Sequence, residues 1–224
     1  MNFTCSELWK TTYLNALVGV LAMGNVTNPA THAALDAQKA ALEADLRQKY
    51  ARFDRAALRA QPILQAYHAY YKRFKKSYHV QGQLESILWK GKSIPQVAGL
   101  VEAMFMAELK NHLLTSGHDL ALLKQPVGID VAVGGEEYVG INGRSQTLKP
   151  NDMYIADQES IISSIIYGPD ERTRITANTT RALFTVYAPD GVEETAVLHH
   201  LQDMRDFVLL FSPDAVVEMM EVKG

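Results

Sequence analysis

Cysteine is almost absent: Cys5 is the only one in 224 residues. That excludes an intramolecular disulfide and a cysteine-based zinc site. With no partner base evident in the sequence, Cys5 reads as a small packed residue rather than a catalytic thiol. Excess positive charge is also missing. There are 22 Lys and Arg against 25 Asp and Glu, a formal charge of −3. A strongly basic nucleic-acid module is thereby excluded, but a local basic patch is not. No apolar run reaches the roughly 18 residues that a membrane-spanning helix needs. The segment from Met1 to Leu8 has no basic region, and Leu14 to Met23 reads as a buried strand rather than a signal peptide. The expectation is a cytoplasmic protein. Without a secretory signal, the glycosylation patterns at Asn25-Val26-Thr27 and Asn178-Thr179-Thr180 carry no weight. The chain has no Walker loop, dinucleotide fingerprint, His-Glu-x-x-His motif or Gly-x-Ser-x-Gly elbow. His199-His200 with Asp203 has only a loose metal-like spacing, and adjacent histidines on a helix point about 100° apart. No metal and no cofactor are expected.

What remains is ordinary globular composition, 47% hydrophobic and 21% charged. The first half is patterned for helices. A short apolar strand is expected over about residues 12–24, then a turn. An amphipathic helix follows over 33–56, with Leu35, Leu42, Leu46, Tyr50 and Phe53 on one side. Lys39, Glu43, Arg47 and Lys49 form its solvated face. Further helices are expected over 56–77, 82–90 and 96–115, the last started by Pro95 and stopped by Gly117. Beyond residue 118 the period changes to that of strands. These are expected at Val127 to Val133, Glu137 to Ile141, Leu148 to Ala156, Ile161 to Tyr167 and Leu183 to Ala188. Asn142-Gly143 is a hairpin turn signal. A closing amphipathic helix spans 193–211. No linker or repeat divides the halves, so the reading is one α+β domain over 1–224.

The second half contains Gly134-Gly135-Glu136-Glu137-Tyr138-Val139-Gly140-Ile141, then Lys149-Pro150-Asn151-Asp152-Met153-Tyr154-Ile155-Ala156-Asp157, then Thr173-Arg174-Ile175-Thr176-Ala177-Asn178-Thr179-Thr180. Upstream stand Tyr71-Lys72-Arg73-Phe74, Lys90-Gly91-Lys92-Ser93-Ile94-Pro95, Leu100-Val101-Glu102 and Gly117-His118-Asp119-Leu120. This ordered set resembles the tRNA-binding and editing domain of the phenylalanyl-tRNA synthetase beta chain, and most of all free-standing proteins built from that domain. The resemblance runs from about Leu14 to Val216. It implies a three-layer arrangement, a β-sandwich of unusual topology flanked by helices. It also implies binding of the aminoacylated acceptor end of tRNA, hydrolysis of the ester of a wrongly attached amino acid, and a possible synthetase partner. It implies no DNA or membrane partner and no ligase activity from this chain alone. Two stretches depart from the relatives' pattern: Gln81-Gly82-Gln83-Leu84, and Phe105 three residues after Glu102.

Hydrolysis of an activated ester needs a positioned water and stabilisation of an oxyanion, not necessarily a triad. His118-Asp119, after Gly117 at an expected helix end, is the catalytic candidate, with His118 as base or ribose ligand. The bland alternative is a helix-terminal His and a capping Asp. Glu136 and Glu137, after two glycines, and Asp157, closing a strand, are candidate substrate-binding carboxylates; each is also an ordinary loop or turn acid. In the segment His68 to His79, Lys72, Arg73, Lys75 and Lys76 interleave with aromatics, a pattern suited to phosphates and unpaired bases or to a plain amphipathic helix. Arg172 and Arg174, near a turn, are further candidates for phosphate contact, or for guarding an exposed strand edge against pairing. Three functions compete: a trans-acting aminoacyl-tRNA deacylase, a non-catalytic binder of the tRNA acceptor end or of an amino acid, and a small-metabolite protein unrelated to tRNA.

Overall fold

The computed structural model describes residues 1–224. It opens with strand β1 (Phe3–Cys5) and helix α1 (Glu7–Thr12), whose start is fixed by the Ser6 hydroxyl accepting from the Trp9 N–H. Strand β2 (Leu17–Gly24) therefore begins later than expected. Helices α2 (Ala33–Lys49), α3 (Arg55–Arg59), α4 (Pro62–Arg73), α5 (His79–Trp89) and α6 (Gly99–Asn111) follow. The helix expected over 56–77 is two. Asp54 caps α3, and Pro62 opens α4 because it has no N–H to donate to a continuing helix.

The expected helix over 96–115 also stops early. His112 adopts a left-handed φ of 63°, and the chain turns into strand β3 (Leu114–Asp119). Gly117 is thus in mid-strand rather than a helix stop, and His118-Asp119 ends a strand rather than a helix. The remaining elements are β4 (Val127–Val131), β5 (Glu137–Val139), β6 (Ser145–Thr147), β7 (Met153–Ala156), β8 (Ile161–Ser164), β9 (Gly168–Pro169), β10 (Arg181–Ala188), α7 (Glu194–Leu209) and β11 (Val216–Lys223).

The architecture is α+β. One sheet runs β11-β2-β10-β3 and is antiparallel throughout. A second runs β1-β4-β7-β8-β9, with β1 parallel to β4. The β5–β6 hairpin stands apart, joined to the rest by a bridge between Gly140 and Asp170. Side chains of β2 and β3 alternate between two sides, as the pleat requires. Gly19 and Thr115 face α7, where Gly19 lies under Val197 and Leu201 and Thr115 meets His200. Leu114, Ser116 and His118 face the other way. One cluster of 53 buried hydrophobic residues runs through both halves.

Tyrosines tie the layers together. From α4, Tyr67 donates to the Tyr187 carbonyl on β10, Tyr71 to the Ile165 carbonyl at 2.7 Å, and Tyr70 to the Asp152 carboxylate at 3.0 Å. The expected solvated face of α2 is in part buried. Lys39 Nζ lies 2.6 Å from Glu102 Oε2, and Glu43 accepts from the Ile94 N–H at 2.7 Å. The cause is that α6 and the 92–94 turn cover that side of α2.

Candidate active site

Strand β3 is the edge of its sheet, and beside it a cavity of about 400 Å³ opens. Its walls come from α6 (Met104, Phe105, Glu108), β3 (Thr115 to Gly117) and the 164–169 turn after β8. The lining is largely apolar. Gly117 keeps the space open: a Cβ there would lie 3.0 Å from Ile175 and 3.3 Å from the Met104 sulfur.

Ser116 and His118 are two apart on one strand, so they share a face. Ser116 Oγ lies 2.8 Å from His118 Nε2, and His118 Nδ1 lies 2.7 Å from Thr173 Oγ1. Thr173 Oγ1 in turn donates to Asp170 Oδ1, which also accepts the Thr173 N–H at 3.2 Å. These bonds fix one polarity. Thr173 gives its only hydroxyl proton to Asp170, so it accepts from His118 Nδ1–H. His118 Nε2 is then bare and accepts from Ser116 O–H. Burial, with the Arg172 charge nearby, holds His118 down to about 3. It is a neutral base, and a weak one, across the ordinary pH range. Burial also raises Asp170 against the opposing pull of the two Thr173 donations. Its second oxygen has no hydrogen-bond partner, and the nearest guanidinium nitrogen, Arg172 Nε, is 3.8 Å away.

Glu108 is the one carboxylate in the cavity wall. Its Oε1 accepts the Thr115 N–H at 2.9 Å, and no cation pairs with it. Burial pushes it up to about 8, so near neutrality it is largely a protonated acid. His79, partly open to solvent, also lines the cavity, and desolvation by its neighbours lowers its basicity. At the mouth, Ile141 of the hairpin turn donates its N–H to the Pro169 carbonyl at 2.9 Å. Lys76 Nζ stands 5.6 Å from the ring of Tyr167, another lining residue, which brings that lysine of the basic segment to the rim.

The other sequence candidates lie elsewhere. Asp119 points to the opposite side of β3, where it accepts from the Ala121 N–H at 3.0 Å and the Thr179 hydroxyl at 2.7 Å. Glu136 accepts the N–H groups of Val133 and Gly134 in its own loop, and the exposed Glu137 accepts from Thr147. The glycines before them serve that loop: Gly134 has φ +106°, and a Cβ there would meet Pro150 at 2.7 Å. Asp157 accepts the N–H groups of Lys124, Glu159 and Ser160 and the Arg172 guanidinium. Those donors hold its carboxyl below the usual range although burial alone would raise it. Arg172 is thereby engaged with Asp157 at 2.8 Å, and Arg174 reaches Glu171 at 3.4 Å. Lys72, Lys75 and Lys76 are exposed, and Arg73 stacks its guanidinium 4.3 Å from the centre of the Tyr70 ring.

Sequence reasoning missed Ser116, Thr173 and Asp170 as a set with His118. The legible signal was Ser-x-His at the two-residue spacing of a strand face, masked by the helix expected through residue 115.

The sequence matches the B3/4 domain family over residues 65–206, well over half of the chain. No curated protein sequence matches it. Among solved structures, the fold is similar to an N-terminal fragment of the phenylalanyl-tRNA synthetase beta-subunit from Pyrococcus horikoshii. The TM-score is 0.50 at 10% identity, and the match covers 100% of this chain and 54% of that one. The chain thus spans about half the length of that fragment.

Proposed function

This chain belongs to the B3/4 domain family, and from that membership we propose that it binds the acceptor end of tRNA and hydrolyses the ester of a wrongly attached amino acid. The observation that carries the reading is the hydrogen-bonded chain Ser116–His118–Thr173–Asp170 ending at the wall of a mostly apolar cavity. The cavity is of a size for one amino-acid side chain and its carbonyl. His118 is the proton acceptor, and Thr173 and Asp170 hold its tautomer. An aminoacyl ester is already activated, so a weak base in a positioned site suffices where an amide would need a stronger one.

The exposed Lys72, Lys75 and Lys76 stand at the end of α4 and just beyond it, with Lys76 beside Tyr167 of the cavity wall. They supply the phosphate attraction that brings the acceptor end to the cavity. Arg73, held on Tyr70, Tyr13 and Phe74, shapes that surface. In this reading Asp119, Glu136, Glu137 and Asp157 support loops and contribute no substrate contact. The place of action is the cytoplasm, with translation fidelity as the role and a synthetase as a possible partner.

The test is a deacylation time course of the purified chain against a panel of correctly and wrongly charged tRNAs, with uncharged-tRNA binding measured alongside. Ester loss from at least one mischarged tRNA, abolished in His118→Ala, is the expected result. Binding with no turnover on any member of the panel would make the chain a tRNA-binding module instead, and neither signal would remove tRNA from its function.

A further inference from the structure

The hydrolytic reading leaves open which atom attacks the ester. His118 is completely buried and does not line the cavity, its Nε2 is engaged by Ser116 Oγ at 2.8 Å, and Ser116 does line the cavity. Ser116 is therefore the member of the hydrogen-bonded chain that meets a ligand.

A second feature lies beside it. The N–H groups of Thr115 and Asp119 point away from β10, toward Glu108 and the Thr173 carbonyl. N–H groups alternate in direction along an antiparallel strand, so the N–H of Gly117, midway between them, points the same way, toward the open edge. Gly117 is itself part of the cavity wall. A backbone N–H directly following a nucleophilic serine is a position from which an oxyanion is stabilised. In the same wall, held to the Thr115 N–H, Glu108 is a lone carboxyl in an apolar lining; burial keeps it protonated while no cation is beside it, and an arriving ammonium is the charge that favours its ionised form.

We propose that Ser116 is the nucleophile of this site, that the Gly117 N–H donates to the oxyanion, and that the accepted substrates are esters of apolar α-amino acids whose ammonium group is met by Glu108. The proposal rests on the hydrolytic reading given above. In the first step Ser116 Oγ attacks the ester carbonyl carbon while its proton passes to His118 Nε2. The tetrahedral intermediate collapses with cleavage of the bond from carbonyl carbon to alkoxy oxygen. The leaving oxygen takes the proton from His118, and the acyl group remains on Ser116. In the second step water attacks the acyl carbon and gives a proton to His118. The bond to Ser116 Oγ breaks, and that proton returns to the serine. No oxidant, metal or cofactor enters the balance.

A short-chain alkyl fluorophosphonate tests the nucleophile without any tRNA, because it forms a stable ester with a serine hydroxyl polarised by a base. The expected result is one phosphonyl group per chain, located at Ser116 by peptide mass spectrometry and absent in Ser116→Ala. Labelling should slow by at least about 100-fold in His118→Gln at an unchanged melting temperature. Leucine methyl ester should protect Ser116 from the label, and less so in Glu108→Gln. An unlabelled Ser116 in protein that still cleaves leucine methyl ester or a mischarged tRNA would overturn the serine route in favour of direct attack by water, as would full esterase activity in Ser116→Ala. A labelled Ser116 in protein inactive on every charged tRNA would keep the nucleophile and remove the tRNA substrate. Absence of both labelling and cleavage would overturn both.

Discussion

Residues 68–79 and residues 116–119 with 170–173 are both rich in polar side chains, and the fold treats them in opposite ways. In the first stretch the aromatics go inward: Tyr70, Tyr71, Phe74 and Tyr78 are all buried, while Lys72, Lys75 and Lys76 stay in water. In the second, the polar groups themselves are buried, and Ser116, His118, Asp170 and Thr173 meet one another instead of solvent. Solvated cations on a helix attract phosphate at a distance but impose no geometry. A buried chain of hydrogen bonds imposes geometry at one atom but has no reach. The two regions meet at the cavity rim, where Lys76 lies over Tyr167. Under the proposed function, that proximity is what lets one surface collect a nucleic acid and the other act on its end.

The largest effect that would break this division is in the buried chain. Ser116→Ala or His118→Ala should lower ester hydrolysis by at least about 100-fold while leaving tRNA affinity unchanged, as read by single-turnover deacylation and filter binding. Equal losses of rate and affinity would mean the two regions do not divide the work. Thr173→Val should rank next. It removes the acceptor for His118 Nδ1–H and leaves that buried donor unsatisfied, at a cost of about 1–3 kcal/mol in urea unfolding. The His118 tautomer is no longer fixed, so hydrolysis should fall by about 10-fold or more.

On the other side of the comparison, Lys72→Glu with Lys75→Glu and Lys76→Glu should weaken tRNA binding by about 10-fold and flatten its salt dependence. At saturating tRNA the hydrolysis rate should hold. Arg73→Ala should do less to binding than this triple change and cost about 1 kcal/mol of stability, because its guanidinium is stacked on rings rather than free. A larger affinity loss from Arg73→Ala than from the triple change would reverse the assignment.

Burial of titratable groups also sets how stability responds to pH. His118, His112 and His200 titrate near 3, 4 and 4 in the fold against 6.5 in the unfolded chain. Each stabilises fully above pH 6.5, and that contribution is lost as pH falls through the folded values. Glu108 and Asp152 act in the opposite sense. Raised to about 8 and about 7, they stabilise most at low pH and lose that contribution as pH rises through those values. Between pH 4.5 and 6.5 three histidines oppose two acids, so the urea midpoint should climb. Above 6.5 only the acids remain, so it should decline. Glu108→Gln should soften the decline above pH 6.5, and a midpoint that falls steadily from pH 4.5 to 8 would contradict the histidine assignment.

Much of the helical layer was legible because Leu35, Leu42 and Leu46, and Leu64, Tyr67 and Tyr71, recur at helical spacing and are buried. The turn of the β5–β6 hairpin was legible from Asn142-Gly143, where Gly143 takes a positive φ of 73°, but its second strand is Ser145–Thr147 and not the expected 148–156, of which Met153–Ala156 pairs with β4 in the other sheet. Strand β3 was not. Its apolar start, Leu113-Leu114, continues the helical pattern of α6, and only the left-handed turn at His112 separates the two. Once β3 was mistaken for a helix end, Ser116 and His118 could not be seen to share a face. Asp170 was hidden for another reason. Gly-Pro-Asp reads as a turn, and nothing local says that its carboxylate turns inward to meet Thr173. Lys39 shows the same limit from the other direction: its place on α2 looks solvated until α6 covers it with Glu102. Strand β11 also went unread, because Val216 to Glu218 are exposed and lack an apolar alternation.

The most direct measurement pairs rate with affinity on a single mischarged tRNA for two variants, Ser116→Ala and the Lys72, Lys75, Lys76 triple glutamate. Loss of hydrolysis at full affinity in the first, and loss of affinity with the rate kept at saturation in the second, is the expected outcome. Hydrolysis by Ser116→Ala at the wild-type rate would show that the buried chain is structural and that the ester chemistry, if any, lies elsewhere in the fold.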